Sequence, residues 1–432
     1  MSKKHINNIK ELCEYMWYLE EKYDLLNLEI NGVHPWAAYR MDIYYEIGKV
    51  FNVFDSNHSM KLSKKDKIIN FFKLIKHYFN NLYKSKSNNI DVIIFSHNRS
   101  KIIENEHRDP YSYFIKKDLK QKNVKFIEYE FPYKGSYIRK KEPTKKYLDK
   151  ILILRNIKNL FIKINLDNKT KKKIDSLNKE LNIATCYKLD IKKFLISNVK
   201  KFIITYNFYI NELQKISPKK IFVVVSYGKG ELIKAAKKLN IKVIELQHGT
   251  FSKYHLGYSF PNTKNNTYFP DELYVWNSYW KNIIKLPINK DNVIIHPFKY
   301  LNNEKEKYLL NPKNKDSLII FGQGGITDKI AERIIQRIDT IKKYDVTFKL
   351  HPNEYHMLNR YDKLNYLKEK YNFKIVTDIN IYEYLSLSEY QGGVFSTVLY
   401  EGLEFNCKTI LFNLPGIEYM DEFIKKYKPI II

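Results

Sequence analysis

The sequence predicts an α/β protein built of two facing Rossmann-like domains, with an additional N-terminal helical region. Three observations predict it. Short, mostly apolar runs recur at 91–95 (DVIIF), 221–225 (IFVVV), 242–246 (KVIEL), 317–321 (SLIIF) and 408–412 (KTILF), the apolar residues of the first being consecutive as in a strand covered on both sheet faces. Helical patterns lie between these runs, and that succession implies parallel sheets with right-handed crossovers. The 432 residues also suffice for two or more domains, each with its own core.

Residues 1–85 carry apolar and aromatic side chains at spacings of three and four, which predicts helices. Within them, Asn31-Gly32-Val33-His34-Pro35-Trp36 is a turn leading into Ala37-Ala38-Tyr39-Arg40. A packed helix start over a buried Trp36 is expected there; the alternative puts His34, Trp36 or Arg40 at an acceptor pocket.

The first Rossmann-like domain, 86–300, opens with the strand at 91–95, which delivers Ser96-His97-Asn98-Arg99. In the polar loop that follows, Asp109 is the first candidate for an acceptor-activating carboxylate and Glu104 the second; a helix cap is the plainer role for Asp109. Residues 130–200 read as Lys-rich and mostly helical. The strand at 221–225 leads to Ser226-Tyr227-Gly228-Lys229-Gly230, and the strand at 242–246 ends in Gln247-His248-Gly249-Thr250. Gly249 allows a sharp turn or close ligand approach. His248 is therefore a candidate catalytic base, with Gly249, Thr250, His255 and Tyr227 lining the acceptor side of the cleft. Strands at 273–276 and 292–295 complete this sheet, His296-Pro297 is its exit, and the polar residues 299–316 form a linker.

The second domain, 301–432, places three polar turns after strands: Gly322-Gln323-Gly324-Gly325, His351-Pro352 and Ser396-Thr397. Its five expected strands are 317–321, 346–350, 373–376, 392–395 and 408–412, with helices near 355–371 and 380–388. Ligands of open α/β sheets bind beyond the carboxyl ends of the strands. Backbone amides of the Gly-rich turn can face a phosphate. His351 can give an anion a charge-assisted hydrogen bond, Ser396 and Thr397 offer hydroxyls, and Glu401 lies one helical turn beyond Thr397, where a carboxylate suits ribose. Together these predict a nucleotide-phosphate site.

Hydrophobic residues at 44% and aromatics at 15% exclude a disordered chain. The formal charge is +28, yet only eight of the 75 basic residues are Arg. That balance reads as biased coding usage rather than a nucleic-acid face, so no nucleic-acid partner is expected. A basic surface still attracts anionic membranes and glycans. Cys13, Cys186 and Cys407 form no paired motif, so neither a disulfide framework nor a zinc site is expected. Without an apolar leader or spanning run, a cytoplasmic location with peripheral contact at the inner membrane face is expected. No DxD or carboxylate–histidine cluster suggests a divalent ion, so metal-independent chemistry without a cofactor is expected.

Two Rossmann-like domains with nucleotide-binding loops in the second resemble the GT-B glycosyltransferases. Leu350-His351-Pro352 looks like the His-Pro motif of bacterial sialyltransferases, polysialyltransferases and Kdo transferases, which contacts the CMP part of the donor. Phe395-Ser396-Thr397 resembles their serine motif, with Thr in place of a second Ser. Gln247-His248-Gly249 resembles the corresponding motif of capsule polysaccharide biosynthesis proteins. His248-Gly249-Thr250 is similar to that of the CDP-glycerol glycerophosphotransferases of teichoic-acid synthesis, where the His is a proposed base. The resemblance covers roughly residues 220–415. Glu401 stands at a different spacing from the Asp of the glycerophosphotransferases, and the acidic base motif of some sialyltransferases has no clear counterpart. It implies transfer from a nucleotide-activated sugar, CMP-sugar favoured, to a glycan or lipid-linked acceptor in capsule or lipopolysaccharide synthesis. The rivals are a polyol-phosphate transferase, a sugar 2-epimerase of the same fold, and a basic nucleic-acid-binding protein.

Overall fold

The computed structural model describes residues 5–53, 64–80, 89–132, 137, 139, 142, 144–159, 161–185, 189–261 and 266–432. Cys186 lies outside them; Cys13 and Cys407 are free and buried. Helices α1 (Ile9–Lys22), α2 (Pro35–Ala38), α3 (Arg40–Val50) and α4 (Lys64–Asn80) make up the N-terminal helical region. Asn8 caps α1 by accepting from the Glu11 amide, and Pro35 starts α2 where its missing N–H is harmless. Trp36 is fully buried, and its Nε1 donates to Glu20 Oε1 at 2.8 Å, so the packed helix start is what forms. Along α4, Leu74 is buried while Ile68 (58% exposed), Phe72 (64%) and Phe79 (64%) form an outward apolar stripe.

The first lobe is a seven-stranded parallel sheet in the order β5-β4-β1-β6-β7-β8-β9. Its strands are β1 (Val92–Phe95), β4 (Phe126–Glu130), β5 (Lys145–Tyr147), β6 (Lys220–Val224), β7 (Lys242–Leu246), β8 (Glu272–Val275) and β9 (Val293–Ile295). An antiparallel hairpin, β2 (Lys101–Ile103) and β3 (Glu106–Arg108), projects after β1. Helices α5 (Tyr113–Gln121), α6 (Asp149–Lys158), α7 (Asn168–Thr185), α8 (Ile191–Ile216), α9 (Gly230–Lys238) and α10 (Ser278–Asn282) complete the lobe.

Strands β4 and β5 were not expected from the sequence, and charge is the reason. All five residues of β4 (FIEYE) are buried, including two carboxylates. Lys116 Nζ lies 2.7 Å from Glu128, and Arg139 lies 3.1 Å from Glu128 and 3.0 Å from Glu130. Paired charges can enter a core that lone charges cannot.

The second lobe is a six-stranded parallel sheet in the order β12-β11-β10-β13-β14-β15. Its strands are β10 (Asn314–Phe321), β11 (Asp345–Lys349), β12 (Lys374–Val376), β13 (Ser388–Gly393), β14 (Lys408–Leu411) and the short edge strand β15 (Ile430–Ile431). The strand before Ser396 thus ends at Gly393, and the sixth strand exceeds the expected five. The predicted linker begins with α11 (Lys299–Lys307), which buries Tyr300 and Leu301. The helices of this lobe are α12 (Thr327–Gln336), α13 (Ile338–Ile341), α14 (Asp362–Tyr371), α15 (Ile381–Leu387), α16 (Thr397–Glu401) and α17 (Asp421–Tyr427). A 3₁₀ turn, Pro352–Arg360, replaces the first half of the helix expected near 355–371.

Two Rossmann-like sheets therefore face each other, the GT-B-type architecture expected from the motifs. One apolar cluster spans both lobes: Phe251 and Trp280 pack with Tyr400 and Phe423, and the Trp280 and Tyr400 rings lie 4.7 Å apart. Tyr44 and Tyr419 share a 2.8 Å hydrogen bond that joins the helical region to the second lobe. Among the described residues, no helix is long and apolar enough to cross a membrane.

Candidate functional site

The turn after β7 is built around Gln247. Its Nε2 donates to Gly249 O at 3.0 Å, its Oε1 accepts from the Trp276 amide at 2.9 Å, and its carbonyl accepts from Trp276 Nε1. This staple fixes the backbone from which His248 projects. Tyr227 Oη lies 3.4 Å from His248 Nε2 and Tyr258 Oη 3.5 Å from Nδ1. His255 packs behind, its ring 5.3 Å from Tyr227 and 5.0 Å from Tyr258.

Tyr227 reaches this position from a strained turn. Val225, at the end of β6, has φ 66°, a conformation that β-branched residues rarely adopt. Lys229 holds it by donating to the carbonyls of Val224 (2.9 Å) and Val225.

Asp109 does not occupy the role of an open base. It is fully buried, and its carboxylate accepts from the His97 amide (3.1 Å), the Tyr111 amide (3.1 Å) and Ser112 Oγ (2.6 Å). It holds the backbone of His97 instead. Glu104 sits on the β2–β3 hairpin and pairs with Tyr113 and with Lys117 at 2.9 Å. Arg40 is also structural: its guanidinium grips both oxygens of Glu20 and the carbonyls of Leu256 and Ser259. The His34 amide donates to Tyr268 Oη.

Position singles out His97 in place of Asp109. Its ring lies nearly parallel to that of His248, 5.9 Å away, and its Nδ1 accepts from the Arg99 amide at 3.0 Å. Burial pushes His97 down to about 3 and His255 to about 4. Burial, with His97 and Arg99 adding to it, holds His248 well below its ordinary value. All three imidazoles are neutral near pH 7, as a proton acceptor must be.

In the second lobe the three turns converge. Gln323 Oε1 accepts from the Phe395 amide at 3.2 Å, next to Ser396, and a Cβ on Gly324 would lie 3.5 Å from His351 Nδ1. The Gly-rich turn, however, gives up most of its amides internally. Gly322 N donates to Lys349 O (2.8 Å), Gln323 N to Thr327 Oγ1 (3.1 Å) and Gly325 N to Glu354 Oε1 (3.2 Å). Among the described residues only the Gly324 amide of the four is without a partner, which corrects the expected four-amide cradle. The buried Glu354, which also accepts from Thr327 and Tyr361, was the unforeseen competitor.

His351 caps the 3₁₀ turn that Pro352 begins, its Nδ1 accepting from the Asn353 amide at 3.3 Å. That acceptor role leaves the proton on Nε2. Burial, together with Arg99 and Lys349 nearby, lowers its pKa, so it offers a neutral donor rather than the expected charged one. Ser396 caps α16 by accepting from the Val398 amide at 3.4 Å. Glu401 is buried against Tyr382; burial raises its carboxyl, and Lys101, Tyr382 and Arg99 oppose the rise.

The lobes touch at the turns themselves. Thr250 N donates to Thr397 Oγ1 at 3.3 Å, and a Cβ on Gly249 would lie 3.1 Å from that oxygen, so glycine permits the approach. Across this seam Arg99 of the first lobe acts electrostatically on His351 and Glu401 of the second, and Lys101 acts on Lys349 and Glu401. Cations from both lobes thus converge beside His351. Arg99, Lys101 and His97 could have been found by applying to β1 the rule used for β7, that polar residues after a strand meet the ligand. Among the described residues, no group of three or more His, Cys, Asp or Glu could hold a metal ion.

No family model and no curated protein matches the sequence. Among solved structures, the chain is similar to the UDP-GlcNAc 2-epimerase of Methanocaldococcus jannaschii in complex with UDP-GlcNAc and UDP, at 14% identity. The match covers 80% of this chain and 89% of that one, with a TM-score of 0.45. The UDP-N-acetylglucosamine 2-epimerase of Rickettsia bellii is similar at 12% identity over 80% and 84%, TM-score 0.47. That of Neisseria meningitidis bound to UDP-GlcNAc is similar at 13% identity over 74% and 81%, TM-score 0.41. At such distances no residue role or activity carries over.

Proposed function

We propose that this chain transfers a sugar from a nucleotide-activated donor, CMP-sugar favoured, to a glycan or lipid-linked acceptor of the cell surface. The second lobe holds the donor's phosphate, and the first supplies the base. The observation that carries this reading is the 3.3 Å contact between Thr250 and Thr397, which sets the His248 turn against the Ser396-Thr397 turn. Arg99, Lys101 and Lys349 outnumber the carboxylates of Glu401 and Asp378 that act on them, and that positive balance supports a phosphate ligand.

In the reaction, the acceptor oxygen attacks the anomeric carbon while its proton passes to His248. The bond from that carbon to the phosphate oxygen breaks, and the nucleotide leaves with the electron pair. Arg99, His351 Nε2–H and the Gly324 amide stabilise, in this reading, the charge that develops on it. Glu401 takes the ribose. Asp109 acts through His97 as a positioning residue. This chemistry requires no metal ion, so turnover should persist in excess chelator. Peripheral contact with an anionic membrane fits the same reading, through the apolar stripe of α4 with its exposed Lys73 and Lys76.

A second reading is a 2-epimerase acting on a nucleotide sugar without any acceptor, with the His97–His248 pair moving the C2 proton. Proton NMR of CMP-, UDP- and GDP-sugars separates them. Nucleotide release that depends on an added glycan supports transfer. A new sugar epimer formed from donor alone would replace it with the second reading, and no turnover or nucleotide binding at all would end both.

A further inference from the structure

Between the N-terminal helices and the first sheet lies a cavity of about 240 Å³ that the phosphate-facing turns do not use. Its walls come from Asp42 and Tyr45 of α3, from Tyr227 after β6, and from Gly257 and Phe260 after β7. Tyr227 is shared with the candidate site, since its hydroxyl lies 3.4 Å from His248 Nε2. A Cβ at Gly257 would lie 2.7 Å from Tyr227 Cδ1, so the missing side chain lets the ring lie against the backbone.

We propose that this cavity seats one neutral sugar ring of the second substrate and directs one of its hydroxyls past Tyr227 to His248. The inference rests on the transferase reading and adds the acceptor's class. Aromatic faces suit the C–H faces of a sugar, while tyrosine hydroxyls, Asp42 and Asn266 suit its hydroxyls. Among the described lining residues, no free cation would meet an anionic ring. Arg40 lines the cavity, but its donors are taken by Glu20 and two carbonyls, and its plane lies 4.3 Å from the Phe260 ring. The volume is below the roughly 300–1,000 Å³ typical of drug-sized ligands, so it fits a ring rather than a whole nucleotide.

Saturation-transfer NMR on the full chain tests this with methyl glycosides of glucose, galactose, mannose and N-acetylglucosamine, and with CMP and UDP measured separately. At least one glycoside should receive saturation, and Ala37→Trp, which fills the cavity, should weaken its binding by about tenfold or more, the scale of a lost pocket contact. If that variant does not fold, Tyr45→Ala, at a residue 47% exposed, should weaken the same glycoside. No glycoside binding, binding indifferent to both substitutions, or displacement of the glycoside from the cavity by CMP would overturn the inference. Failure of CMP and UDP to bind anywhere would instead overturn the transferase reading, so the two failures are distinguishable.

Discussion

Single side chains decide whether His248 can work as a base. Its two nitrogens face Tyr227 and Tyr258, and burial, with His97 and Arg99 adding to it, keeps it unprotonated. His248→Ala should lower kcat by about 10²–10⁴-fold, the range for a general base. Measured against it, His351→Ala should lower kcat by roughly 10²-fold, as for one transition-state donor; near-wild-type turnover would remove His351 from the site. The pH profile carries a sign. Because the imidazoles are held below 6.5, kcat/KM should stay level as pH falls through that value, and the acid limb should appear lower. A limb centred on an ordinary histidine would contradict the burial.

At the scale of elements, strands made of bare apolar runs were legible and strands stabilised by ion pairs were not. Strands β1 and β6 declared themselves through Val, Ile and Phe in succession and β7 through Val243-Ile244, and the polar residues at their carboxyl ends marked the candidate cleft. Strand β4 stayed hidden because Glu128 and Glu130 read as exposed until Arg139, Lys116 and the sheet meet in space. The same blindness overlooked Glu245, a carboxylate inside β7 that bonds Tyr258 Oη at 2.6 Å, and Glu354 under the Gly-rich turn. Local pattern shows where a turn falls, but not which of its amides a distant carboxylate will claim. Arg139→Met would leave the buried Glu130 carboxylate unpaired and Glu128 with Lys116 alone, and should destabilise the fold by about 3–5 kcal/mol in urea titrations. Exposed apolar residues on α4 give a second test at this scale. Phe72→Ser with Phe79→Ser should reduce co-sedimentation with vesicles containing anionic lipid, and unchanged co-sedimentation would remove α4 from the membrane contact.

Over the whole molecule, buried imidazoles couple stability to pH. The folded pKa of His255, about 4, lies below the unfolded value of 6.5. Between those values the unfolded chain binds a proton that the folded chain does not, so this residue's contribution falls as pH drops through the window. Buried carboxyls such as Asp109 and Glu245 are shifted upward and act in the opposite direction, so the histidine's effect is read as a difference. The melting temperature of His255→Phe relative to wild type should therefore move in the variant's favour between about pH 7 and pH 5. A constant difference would mean that the ring titrates normally.

The apolar cluster of Phe251, Trp280, Tyr400 and Phe423 belongs to neither sheet alone. Cutting the gene between the two sheets would give each fragment a raw hydrophobic wound where the other should sit. Expressed apart, the halves should aggregate; expressed together, they should find each other and reconstitute one soluble particle.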